Sequence, residues 1–125
     1  MYVIEIIALL AVSQLFVFGA LVGSQRRASG IDAPTMTGHV GLERMIRVHM
    51  NTLEIIVPFL VGLLVAGKFW SVWIVAPIGV IYLVGRIIYW RTYMANPAGR
   101  TVGFVMSVFP IAALVLLGLL GAIIG

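Results

Sequence analysis

Four apolar runs, each about as long as a bilayer core is thick, leave this chain few alternatives to a bundle of membrane-crossing helices. They cover Tyr2 to Gly23, interrupted by Glu5, Ser13 and Gln14, then Leu42 to Gly67, Phe69 to Tyr93, and Thr101 to Gly125. A helix needs about 20 residues to cross the hydrocarbon. It also satisfies its own backbone there, whereas a barrel strand would show an apolar/polar alternation that these runs lack. The expected fold is all-α: one integral membrane four-helix bundle over residues 1–125, with spans at about 2–23, 42–67, 69–93 and 101–125. A soluble fold is excluded by composition, because 62% of the residues are hydrophobic and only 10% charged, too few to coat a water-soluble surface. There is no cysteine, so disulfides and a cysteine nucleophile are excluded and any thiol chemistry must use a thiol from outside.

The first run reads as a retained helix rather than a cleaved leader. Met1 to Glu5 carries no basic residue, and Arg26 and Arg27 follow the run as a stop-transfer flank would. Ser24 to Gly41, rich in Gly, Ser, Thr and Pro, reads as a polar loop. Arg26, Arg27, Arg44, Arg47, Arg91 and Arg100 fall on one side of the bundle and Lys68 on the other. The positive-inside rule then places the first and third loops in the cytoplasm and both termini opposite. These basic residues form no long run, which argues against a nucleic-acid partner.

Two helical faces carry the polar residues. In the second span Arg47, Asn51 and Glu54 are spaced i, i+4, i+7, with Glu43 and Arg44 extending the stripe. In the third, Tyr82, Arg86, Tyr89 and Tyr93 follow i, i+4, i+7, i+11. Glu54 lies roughly 10 Å beyond Arg47 along its helix, and Arg86 roughly 10 Å before Tyr93. If Arg47 and Tyr93 mark one boundary, Glu54 and Arg86 meet, and an intramembrane ion pair between them is expected, since an unpaired charge there is expensive. Plainer roles compete at the boundary. Arg44, Arg47 and Arg91 also suit snorkelling anchors, and Tyr89, Trp90 and Tyr93 an aromatic belt, although a belt needs no helical register. His39 and His49, without acidic partners at ligand spacing, do not make a metal site. A cavity between the stripes would offer guanidinium groups for carboxylates and Glu54 for an amine. It would open to the cytoplasm and the lipid together, so a polar and an apolar substrate could meet there.

The second-span pattern Glu43-Arg44-x-x-Arg47-x-x-x-Asn51-x-x-Glu54 resembles the signature of the MAPEG family, the membrane-associated proteins of eicosanoid and glutathione metabolism. So does Arg86-Ile87-Ile88-Tyr89-Trp90-x-x-Tyr93, followed by Arg100 at the head of the fourth span. The likeness covers essentially the whole chain. It implies a homotrimer with glutathione bound at each subunit interface on the cytoplasmic side. It also implies that Arg26, Arg47, His49, Asn51, Glu54, Arg86, Tyr89 and Tyr93 serve glutathione binding and that Arg100 is the catalytic residue stabilising the thiolate. A guanidinium beside a thiol favours its charged, nucleophilic form.

Ile55 and Ala95 stand where the leukotriene C4 synthase branch has a tyrosine and an arginine, which argues against that branch. The resemblance therefore implies a microsomal-glutathione-transferase-like enzyme, and the compact chain with its short first loop points to a bacterial inner membrane. It would conjugate small lipophilic electrophiles with glutathione, or reduce them as a peroxidase, with membrane lipid as its surroundings and no metal. A non-catalytic lipid- or glutathione-binding relative is the alternative. A small multidrug exporter is disfavoured, because its carboxylate should lie mid-helix and Glu5 is too near the end.

Overall fold

The computed structural model describes residues 1–125. Its four long helices are α1 (Val3–Ser29), α2 (Val40–Phe69), α3 (Val72–Ala95) and α4 (Thr101–Ile124), with a single 3-10 turn, Pro97–Arg100, leading into α4. All four are long and apolar enough to cross a membrane. Their exposed sides carry large apolar residues such as Leu9, Phe16, Val57, Trp73 and Leu116. A surface of that kind suits lipid rather than water.

The first and third connections are shorter than expected, and the second lies at residues 70–71 rather than at Lys68, which belongs to α2. The stretch expected as a loop from Ser24 is helical to Ser29, and α2 already begins at Val40. Arg26 and Arg27 in the last turn suit the negative end of the helix dipole. Gly30 then closes α1 in the left-handed conformation (φ 72°), its N–H donating to the Arg26 carbonyl. His39 opens α2 by accepting the Leu42 N–H on Nδ1 at 3.2 Å. Asn96 accepts the Ala98 N–H at 3.1 Å, so the expected third loop is mostly a capped turn.

The core runs along the middle of the bundle through Ile7, Ala11, Phe59, Leu63, Val75, Tyr82 and Leu114. Phe59 and Tyr82 stack at 3.7 Å between ring centroids. Helices α3 and α4 approach most closely where glycine removes the side chain. A Cβ on Gly85 would sit 2.8 Å from the Met106 carbonyl carbon, and one on Gly103 would collide with the Tyr89 backbone. That approach brings Ser107 of α4 against the polar face of α3.

Candidate functional site at the arginine-rich end

Arg86 is the largest fully buried side chain in the molecule, and no carboxylate meets it. Its Nε donates to Ser107 Oγ at 2.8 Å. Its Nη1 donates to Asn51 Oδ1 at 2.7 Å and to Thr52 Oγ1 at 3.2 Å. The guanidinium also lies over the Tyr89 ring, 4.5 Å from the centroid, a cation–π contact strengthened by exclusion of water. Nη2 has no partner. One cation therefore ties α2, α3 and α4 together through neutral acceptors.

The expected Glu54–Arg86 pair does not form. Glu54 instead accepts from Arg47 Nη2 at 3.1 Å, and both side chains are about half exposed, at 55% and 45%. The axial offset of the two helices is the cause. Arg44 Nη1 donates to the carbonyls of Met94 and Ala95 at 2.9 and 3.2 Å, capping α3 with a residue from α2. With that register Arg86 comes level with Asn51 and Thr52, and Glu54 passes beyond it on the outer face. Arg47, Asn51 and Glu54 thus share a side of α2, but Asn51 is turned inward and buried.

An open cleft of about 340 Å³ lies at this end, lined by Glu43, Arg44 and Arg47 of α2, Tyr93 of α3, Val40 and Pro97. Tyr93 stacks on Tyr89 at 5.5 Å between centroids, so Arg86, Tyr89 and Tyr93 form a continuous stack from core to cleft. Arg100 is exposed at the end of the 3-10 turn, with Nη1 donating to the Pro97 carbonyl at 3.1 Å. Glu43 accepts the Gly38 N–H at 3.0 Å and holds the loop at the cleft edge.

Of the expected site residues Arg47 and Tyr93 line this cleft, and Arg26 and His49 are engaged elsewhere in the chain. Arg26 donates to the carbonyls of Ile31 and Thr35 at 3.4 and 2.7 Å, folding its own loop back against α1. His49 faces α1, lining a separate hollow with Leu15, Phe16 and Gly19. Thr52 and Ser107, the other acceptors of Arg86, were not anticipated. Their signal was slight: a hydroxyl beside Asn51, and the lone serine of the fourth span.

The MAPEG family sequence pattern matches residues 4–120. The chain belongs to the MAPEG family. The relatives of this MAPEG chain are consistent with that. Human microsomal glutathione S-transferase 2 is 30% identical over 115 residues, 92% of this chain and 78% of the human protein. Leukotriene C4 synthase of Bos taurus is 33% identical over 115 residues, 92% of this chain and 77% of the bovine one. An uncharacterized protein of Synechocystis is 37% identical over 86 residues, 69% of this chain and 63% of its own. Family membership and the four apolar helices together make this an integral membrane protein.

Proposed function

We propose that this chain is a membrane-bound glutathione transferase that joins the glutathione thiolate to small lipophilic electrophiles. The observation that carries the reading is the cleft at the arginine-rich end, where Arg47 and Tyr93 face a polar opening bordered by an apolar exterior. A tripeptide with two carboxylates and an ammonium suits this charge set. Arg47 would clamp a carboxylate, Glu54 would receive the ammonium, and Tyr93 would support the peptide backbone. Asn51, Tyr89 and Arg86 stand behind these groups. In this arrangement Arg86 acts by positioning Asn51 and Tyr89, since all of it is buried.

Arg100 is the catalytic candidate. Its guanidinium would stabilise the thiolate, whose sulfur forms the new bond to carbon while the leaving group departs with its electron pair. With a hydroperoxide, two glutathione molecules would give the disulfide, an alcohol and water, which is the peroxidase side activity. Arg26 and His49 point away from the cleft, which favours sites completed by a neighbouring subunit in a homotrimer. The arginine-rich end would face the cytoplasm of a bacterial inner membrane.

A second reading, a non-catalytic binder, is favoured by one detail: Arg100 is occupied with the Pro97 carbonyl. An assay of glutathione with 1-chloro-2,4-dinitrobenzene in detergent micelles separates them. Turnover supports the transferase, and glutathione binding without turnover supports the binder.

The same reading fixes what Glu54→Gln should do. Exposed ion pairs are worth about 0–1 kcal/mol, so thermal unfolding in detergent should barely change. Glutathione affinity should fall about tenfold, because an ion pair with the ammonium becomes a hydrogen bond to a neutral amide. Calorimetric titration showing wild-type affinity would remove Glu54 from the site.

A further inference from the structure

On the side of the bundle formed by α1 and α3, two open hollows follow one another along the groove. The outer one, about 400 Å³, is bordered by Ser24 and Gln25 of α1 and by Arg91 of α3. The inner one, about 410 Å³, is walled by apolar residues, among them Leu10, Val17, Leu83 and Ile87. Trp90 lines both, so the two lie on either side of one indole. The two helices run in the same direction, and their register is held by Gln14 Nε2, which donates to the Leu83 carbonyl at 2.9 Å. Polar lining therefore lies at the arginine-rich end and apolar lining at membrane depth.

Arg91 is exposed at the mouth and lies beside the Trp90 ring, 5.4 Å from its centroid. It has no carboxylate partner, since the one ion pair in the molecule is Arg47–Glu54. A free guanidinium over an apolar channel suits an amphiphile with an anionic head and an aliphatic chain. None of these residues lines the cleft described above, so this inference does not rest on the transferase reading.

We propose that the α1–α3 groove is a binding site for an anionic phospholipid of the surrounding bilayer, with its phosphate at Arg91 and one acyl chain laid along Val17 and Ile87 past Trp90. Charge complementarity selects the head group, and the apolar depth of the channel takes the chain.

The test uses the full chain with Trp70→Phe and Trp73→Phe, leaving Trp90 as the only indole. The protein is reconstituted in phosphatidylcholine/phosphatidylglycerol vesicles in which one lipid or the other carries brominated, fluorescence-quenching chains. Brominated phosphatidylglycerol should quench Trp90 with about fivefold apparent preference, what one cation at a membrane surface supplies at about 1 kcal/mol. Arg91→Gln should abolish the preference. So should Ser13→Phe, which obstructs the inner channel but leaves Arg91 in place, and this separates a site from general surface attraction. Equal quenching by the two lipids, as a groove covered by a second copy of the chain would also give, overturns the proposal. So does a preference that survives either substitution.

Discussion

Replacing Asn51 by leucine should cost about 2–3 kcal/mol of stability, the range for taking one hydrogen-bond partner from a buried charged group. Asn51 supplies the shortest of the three contacts to Arg86, 2.7 Å, and the only carbonyl among them. Without it the guanidinium keeps two hydroxyls, each already donating within its own helix, Thr52 to the Val48 carbonyl and Ser107 to the Gly103 carbonyl. Adding Arg86→Met to Asn51→Leu should then return most of the loss, because the stranded cation is gone and an apolar side chain of similar length fills its place. Thermal unfolding of the single and double variants in detergent checks both halves. If the double variant were no more stable than the single, the buried charge would not be what Asn51 holds in check.

The second large effect falls on the chemistry. Arg100→Ala should lower turnover about 10²–10³-fold, the range for losing one preorganised group that stabilises developing or resident negative charge. Glutathione affinity should change little, because in the proposed site the peptide would be held by Arg47, Glu54 and the tyrosines. Arg100 is exposed at the end of a short turn and its side chain makes one hydrogen bond, to the Pro97 carbonyl, so its removal should disturb little packing. Steady-state kinetics should show kcat falling with a nearly constant KM, and the unfolding temperature should match the wild type. A fully active variant would assign the thiolate to some other group.

The helices were legible because each span is a long apolar run with polar residues at helical intervals, and hydropathy alone marks such segments. The faces of α2 and α3 were legible for the same reason. What periodicity does not carry is the axial offset between two antiparallel helices. That offset is set by Arg44 capping the end of α3, a contact between a residue expected in the polar stripe and two backbone carbonyls that leave no trace in the residue pattern. A shift of about two residues, roughly 3 Å, was enough to exchange Glu54 for Asn51 and Thr52 as the partner of Arg86. The close approach of α3 and α4 was hidden differently. Gly85 and Gly103 let the backbones meet, but apolar spans rich in glycine offer many such positions and nothing local distinguishes these two. The first loop was overestimated because Ser24 to Ser29 is polar in composition yet helical, stabilised by its terminal arginines and the Gly30 cap.

On the proposed function, this cysteine-free chain activates a borrowed thiol at its arginine-rich end. The most direct measurement is an ultraviolet difference spectrum of the detergent-solubilised protein titrated with glutathione at neutral pH. A saturable thiolate band is expected, absent in Arg100→Ala although glutathione still binds. Saturable glutathione binding with no thiolate band in the wild-type protein would contradict the proposed function.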